Sequence, residues 1–530
     1  MNEEILKTIK ERGLLLEKEI FDLLNNIGDV DVVRGLLENL ERFSGQKIIT
    51  RGVLNKNIEF VRSVVNKSGN KSEIENVFVK LGLSLEIRKE SIVESEGKTG
   101  TLEKKNNGEY KVFYANTAPD KKLELGDFVG HFRARYHQIQ RILMQRPDLK
   151  NLVSIGKISG GRQNLSIIGI VTEKRVTKNK NLIIKFEDLT GEVNALVKVD
   201  RAEIFDKADE LQLDDIVGVK ASGDRDILFV HDILFPDAFM HEKVRFNEDI
   251  CAAFLSDVHC GSDKHLGANF EKFLEWINSD DELAGKIRYL FFVGDNVDGV
   301  GIYPGQEARL KLGSMKEQYE LLASYLSRIP KNITMFMCPG QHDAGRVAEP
   351  QPIISKRYAP ALYNVENLVL VTNPTMVKLL EAGKEFKVLM YHGDSIHSFI
   401  HEIKELRVMK AQKCPAKAVK HMLKRRHLAP VHGEAVYIPN ANKDPMVIEE
   451  VPDVLCTGEV HRLDVETYNG VLIITGSCWQ SQTSFEEKVG NIPDPCKVPV
   501  LNLKTRELRI LDFSDAILDE GVGLSKNEDK

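Results

Sequence analysis

Residues 335–343 read MFMCPGQHD: an apolar run that fits a buried strand, a Pro-Gly turn, then Gln341, His342 and Asp343. The same grammar recurs on both sides of it. FLSDVH (254–259) ends in Asp257 and His259, FFVGDNVD (291–298) in Asp295 and Asp298, VLMYHGD (388–394) in His392 and Asp394, and VLCTGEVH (454–461) in Glu459 and His461. One such strand end is ordinary turn or helix-cap chemistry. Five in order, each directly behind an apolar strand, are hard to obtain that way. Ligands of α/β sheets bind beyond the carboxyl ends of strands, so five such ends converge on one crevice.

Working outward, apolar strands are expected at 251–255, 289–293, 333–338, 387–391, 453–457 and 471–475. They alternate with amphipathic helices such as FEKFLEWI (270–277) and QYELLASYLSRI (318–329), which predicts a layered α/β domain over 246–515. Before it, residues 131–245 open with a helix at 132–144. Short β-branched runs follow, as in LSIIGIVTEKRVTKNKNLIIKFEDLTGEVNALV (165–197), broken by KNKN and EDLTGE turns. That pattern predicts a small antiparallel barrel, and it looks like an oligonucleotide/oligosaccharide-binding (OB) fold. Its partner, nucleic acid or protein, stays open, because fold alone does not establish binding. Residues 1–90 carry helical periodicity in short pieces and predict a helical N-terminal domain; the polar stretch 91–130 reads as a linker and 516–530 as a polar tail.

A chain of 530 residues, at about 150 per domain, has room for more than one core. Its 73 Lys+Arg against 79 Asp+Glu leave a net charge of −6, which excludes a whole-chain positive field. Nucleic-acid contact must therefore come from a local patch. No run approaches the ~18 apolar residues of a spanning helix, and the mixed-charge start lacks a signal-peptide core, so a cytoplasmic protein with no membrane partner is expected. All 7 Cys lie in the C-terminal half, and none is part of a C-x-x-C pair. Free thiols are expected.

The strand ends supply carboxylates and imidazoles without thiolates. That donor set suits two divalent metals such as Mn²⁺, with Mg²⁺ as the other hard ion, rather than structural zinc. Two metals can activate a water and stabilise an in-line displacement at phosphorus, so phosphoester hydrolysis is the expected chemistry.

The order D-x-H, G-D-x-x-D, G-Q-H-D, H and G-E-x-H resembles the calcineurin-like metallophosphoesterases. PGQHDAGRVAEPQP (339–352), YHGDSIH (391–397), MLKRRHLAPVHG (422–433) and VPDVLCTGEVHR (451–462) are similar to the small subunits of archaeal family D DNA polymerases. The resemblance implies a helical N-terminus, an OB-like barrel and a phosphoesterase domain. It further implies a 3′-to-5′ exonuclease acting on primer-template or single-stranded DNA, in a heterodimer whose large catalytic subunit adds nucleotides. By the same resemblance Asp257, His259 and His461 hold one metal, Asp295 bridges, and His392 helps to hold the second. His342 stands beside the scissile phosphate as general acid or charge stabiliser, and Asp298, Asp343, Asp394 and His397 are supporting or turn residues.

Two positions depart from the family pattern, Gln341 where it has Asn and Glu459 where it has His, and both fall on the second metal. Gln keeps the donor type on a longer arm, and Glu adds an anion that favours harder ions while lowering Lewis acidity. These departures favour the alternative of a non-catalytic scaffold subunit with a degenerate site. A stand-alone small-molecule phosphatase would need neither barrel nor helical arm.

Residues 401–430 hold nine basic residues against Glu402 and Glu405. The spacing of Lys410, Lys413, Lys417, Lys420 and Lys424, followed by Arg425 and Arg426, predicts one helical stripe if Pro415 sits at a first turn. The stripe is either a solvated surface or a path for a DNA backbone held by phosphate contacts.

Overall fold

In the computed structural model, residues 9, 15–16, 48–49, 101–105, 108–117 and 122–514 are described. The chain divides into two compact units, Met1–Ser95 and Glu96–Lys530. In the first, Leu15–Leu16 pairs in parallel with Ile48–Ile49. The expected helical domain otherwise lies outside the described residues, as does the polar tail.

The second unit is built around two facing sheets. One has six strands in the order Leu368–Leu370, Thr334–Cys338, Ile287–Val293, Cys251–Leu255, Lys497–Asn502 and Leu508–Asp512. Its first four strands run parallel. The other has seven, in the order Asp464–Tyr468, Val471–Thr475, Val454–Thr457, Lys384–Met390, Thr375–Glu381, Gly108–Tyr114 and Thr101–Lys105. The period of two in a strand sorts the side chains. Ala252, Phe254, Phe291 and Phe336 of the first sheet meet Val377, Val388, Met390 and Cys456 of the second in one core. The alternate residues Ala253, Leu290 and Met335 face outward onto the helices Gly267–Ile277 and Met315–Leu326. Leu389, Leu455 and Ile473 do the same beneath the helices Ile396–Glu402 and Ala416–Arg425. The result is four layers, helix, sheet, sheet, helix. All seven cysteines are free, and six of them are buried.

The expected linker is a correction. Residues 101–105 and 108–114 are strands of the seven-stranded sheet, and Gly108–Tyr114 pairs antiparallel with Thr375–Glu381. The physical reason is legible afterwards: Tyr110 and Val112 alternate into the inter-sheet core. The helix expected at 132–144 starts earlier, at Leu125, where Glu124 and Asp127 form a reciprocal cap.

Strands Gln163–Val176, Leu182–Asp188, Gly191–Val197, Ile216–Gly223 and Leu228–Leu234 close a barrel in which the third strand neighbours the fifth and the first neighbours the fourth. The helix Ala202–Asp209 lies between the third and fourth strands in sequence. Tyr136, Ile139 and Leu143 of the preceding helix pack on Ile168 and Ile216 of the barrel, and the Tyr136 hydroxyl donates to the Ile168 carbonyl at 2.9 Å. Among the described residues no helix is long and apolar enough to cross a membrane.

Candidate metal centre

The strands ending at Leu255, Val293, Cys338, Met390 and Thr457 deliver their following loops to one edge, where the loops are knitted by backbone bonds. Asp257 N–H donates to the Gly294 carbonyl at 3.1 Å, His259 N–H to Asp295 at 3.0 Å, and Gly458 N–H to His392 at 2.7 Å. The approach is so close that glycine is required at two of these turns. A Cβ on Gly294 would lie 2.2 Å from His392 Nδ1, and one on Gly340 2.2 Å from Asp295 Oδ1. Asp257, His259, Asp295, Glu459 and His461 all take left-handed backbone, with φ between 46° and 73°. Each such residue costs about 1–3 kcal/mol, and outliers of this kind concentrate at functional sites.

Ligand atoms of Asp257, His259 and His461 lie within 4.8 Å of one another, and so do those of Asp257, Asp295 and His392. His259 Nε2 is 3.0 Å from His461 Nε2, and His461 Nε2 is 3.5 Å from Asp257 Oδ1. Asp295 Oδ2 stands 3.4 Å from His392 Nε2, 3.9 Å from His342 Nε2 and 4.0 Å from His259 Nε2. Glu459 Oε2 is 3.2 Å from His392 Nε2, and its other oxygen is 3.6 Å from His397. Gln341 donates from Nε2 to Asp394 Oδ1 at 2.9 Å. The structure thus gathers all of the strand-end residues singled out by sequence.

The imidazoles are oriented from behind. His392 Nδ1 faces the Val293 carbonyl at 3.0 Å, His342 Nδ1 the Asp298 carbonyl at 2.7 Å, His259 Nδ1 the Asp298 carboxylate at 3.2 Å and His461 Nδ1 the Glu486 carboxylate at 3.1 Å. Each then presents Nε2 to the centre, the arrangement by which proteins orient histidine ligands. Sequence reasoning missed Glu486. Thr483-x-x-Glu486 is readable as a capping box, but only the fold shows that its second oxygen reaches His461. Asp343 braces the turn itself, accepting from the backbone of Asn296 and Gly340 and from the Tyr319 hydroxyl.

Burial raises the cost of charge throughout this cluster; it raises Asp343 and Asp394, whereas pairing wins for the residues facing the centre. Burial opposes ionisation of Asp295, but His392 and His342 hold its carboxyl well below the usual range. Burial likewise opposes the charge on His392, which Asp295 and Glu459 nevertheless raise well above an ordinary histidine. His461 is raised in the same sense by Cys478, Asp257 and Glu486, and His342 by Asp295 and Asp298, in both cases against burial. Glu459, despite burial, is lowered to about 2 by His392 and His397.

Among the described residues, Asp257 Oδ2 and Gln341 Oε1 are buried without a hydrogen-bond partner, and His392 Nε2 has only the carboxylates of Glu459 and Asp295 within ion-pair reach. A buried polar atom without a partner costs about 1–3 kcal/mol, and unpartnered atoms among carboxylates and imidazoles are what a cation would satisfy. The donor set fits hard or borderline divalent ions.

The basic run requires a second correction. It forms no single stripe, because left-handed Lys410 ends the helix Lys404–Met409, and Pro415 caps the separate helix Ala416–Arg425. Arg425 and Arg426 are buried, bound to Asp215 and to the Ile448 and Glu449 carbonyls respectively. Lys417 pairs with Glu466 at 2.8 Å, Lys424 pairs with Glu210, and Lys420 lies 5.3 Å over the Tyr468 ring. Apolar Val419, Met422 and Leu423 occupy the helix's inner face, so its basic residues are consumed in fastening it to the barrel and the adjoining strand. Lys410 and Lys413 remain exposed.

Residues 252–464 match the family of DNA polymerase alpha/epsilon B-subunits. Among solved structures, an archaeal phosphodiesterase superposes over 49% of this chain and 99% of its own at 13% identity and a TM-score of 0.24, too slight a likeness to bear on the fold. The DNA polymerase II small subunit of Pyrococcus furiosus is 39% identical over 399 residues, covering 73% of this chain and 64% of that protein. That of Methanothermobacter thermautotrophicus is 37% identical over 398 residues, covering 74% of this chain and 80% of that protein. The match thus spans just under two thirds of the length of the Pyrococcus relative. At this identity and coverage, the chain belongs to the DNA polymerase II small-subunit family.

Proposed function

We propose that this chain is the nuclease-bearing small subunit of a heterodimeric replicative DNA polymerase, removing nucleotides from DNA 3′ ends beside a large catalytic subunit in the cytoplasm. The observation that carries the reading is the carboxylate-imidazole cluster with its unpartnered Asp257 Oδ2 and Gln341 Oε1. Asp257, His259 and His461 would hold one cation, and His392, Gln341 and Glu459 the other, with Asp295 reaching both. Two bound divalent ions, most suitably Mn²⁺ and also Mg²⁺, would supply Lewis acidity to the phosphodiester and acidify a water.

The chain's own groups do the rest. His342 commits Nδ1 to the Asp298 carbonyl, which leaves Nε2 free, and Asp295 favours a proton there. It would donate that proton to a phosphate oxygen or to the departing 3′ oxygen. Asp298 and Glu486 hold the rings of His259 and His461 in register. The barrel's strand order and the position of its helix support an OB-type reading. Exposed Lys410 and Lys413, with Lys404 and Arg407 earlier in the run, remain open to a DNA backbone.

Gln341 and Glu459 favour a second reading, a scaffold with a silent centre, because Glu459 already pairs with His392 and Gln341 with Asp394. A Mn²⁺-dependent assay of the chain on single-stranded and mismatched primer DNA, with and without the large subunit, decides. Cleavage lost in Asp295→Ala supports the nuclease. No cleavage at any metal concentration, with intact binding to the large subunit, establishes the scaffold.

A further inference from the structure

We propose that the loop Gly299–Gly305 is a nucleobase platform for the candidate metal centre, with Tyr303 stacking on a base beside the scissile phosphate; this rests on the nuclease reading above. The loop departs directly from Asp298, whose carboxylate faces His259 and whose carbonyl faces His342. Its stem is fixed by two fully buried glutamines. Gln318 accepts from Gly299 N–H at 2.9 Å and donates to the Gly299 carbonyl at 3.0 Å. Gln306 donates to the Asp298 carbonyl at 2.8 Å and accepts from Ile302 N–H at 2.9 Å. Gly299, at φ 79°, passes so near the catalytic turn that a Cβ there would sit 2.5 Å from the His342 carbonyl oxygen. The stem therefore abuts the residue placed against the phosphate.

The tip behaves oppositely. Val300, Ile302 and Tyr303 are 38%, 38% and 42% exposed, whereas Val297, just before the stem, is fully buried. Three neighbouring large side chains held toward water on an anchored loop form a surface that awaits an apolar, flat partner. Beside any phosphodiester of a DNA strand that partner is a base. Every base has a π-face, so an aromatic platform grips a strand end without reading its sequence, which suits a sequence-indifferent exonuclease.

The test compares three substrates of the Mn²⁺-loaded full chain: a wholly abasic single strand, which has phosphodiesters but no aromatic ring, single-stranded DNA, and the same DNA with an abasic 3′ nucleotide. In Tyr303→Ala the ratio of DNA to abasic-strand hydrolysis should fall roughly tenfold or more, the scale of one lost stack. Tyr303→Phe should restore the ratio. The abasic end should cost the wild-type chain a similar factor and the Ala variant almost nothing. An unchanged ratio in Tyr303→Ala overturns the platform while leaving the nuclease reading intact. So does a variant that loses only association with the large subunit, which makes the tip a protein-docking surface. A wild-type chain that hydrolyses none of the three overturns the nuclease reading, and the platform with it.

Discussion

Asp295 faces His392, His342 and His259 at once, so its removal unbalances three imidazoles of the candidate centre. Asp295→Ala should abolish both high-affinity cation binding and cleavage, and calorimetric Mn²⁺ titration with unchanged stoichiometry would refute its bridging place. The raised histidines carry a pH signature with a definite sign. A proton bound more tightly in the folded state stabilises the metal-free protein fully below about pH 6.5. That contribution is lost as pH rises through the raised values of His392 and His461. Cations must displace those protons, so Mn²⁺ binding near neutral pH should release them. Titration in buffers of different ionisation enthalpy measures the release, and none is expected if the rings are already neutral. At the two departures, Gln341→Asn with Glu459→His should raise exonuclease activity by shortening one arm and removing an anion from beside His392. A slower double variant would mean that the site is built around its extra carboxylate.

At the scale of elements, the strand ends were legible because each motif is local: an apolar strand, a turn, a donor. The basic helix was misread because its partners are not local. Asp215 and Glu210 come from the barrel, roughly two hundred positions upstream of Arg425, and nothing in residues 401–430 announces them. Burial leaves Asp215 raised even beside Arg425, so the pair survives by mutual satisfaction rather than by surplus attraction. Arg425→Ala should therefore destabilise by about 3–5 kcal/mol, since it strands a buried carboxylate, whereas replacing Arg425 and Asp215 together by apolar residues should cost much less. Chemical denaturation of the three variants measures the difference. The same geometry moves the DNA expectation. Neutralising Lys410 and Lys413 should flatten the salt dependence of DNA binding by about two charges, while neutralising Lys417, which Glu466 already holds, should leave the slope in place.

For the whole molecule, apolar strands alternating with amphipathic helices foretold a layered α/β body, and short β-branched runs foretold a barrel. The sheet's true edge was hidden. Residues 101–114 look polar because Glu109 and Lys111 alternate with Tyr110 and Val112, which enter the core. Tyr110 is fully buried, with its ring 5.0 Å edge-on from Phe336 of the opposite sheet, so the hairpin closes the same core that carries the metal-centre strands. A chain beginning at residue 96 should keep cooperative unfolding. One beginning at residue 115 should lose it, since Thr375–Glu381 becomes an open edge and the inter-sheet core is exposed. Tyr110→Ala in the full chain should cost about 3–5 kcal/mol, as a large buried ring leaves a cavity. Thermal unfolding of the three proteins checks this together with Mn²⁺ titration of the centre. If the chain from residue 115 melts and binds Mn²⁺ as the longer one does, the hairpin is an appendage and the core closes without it.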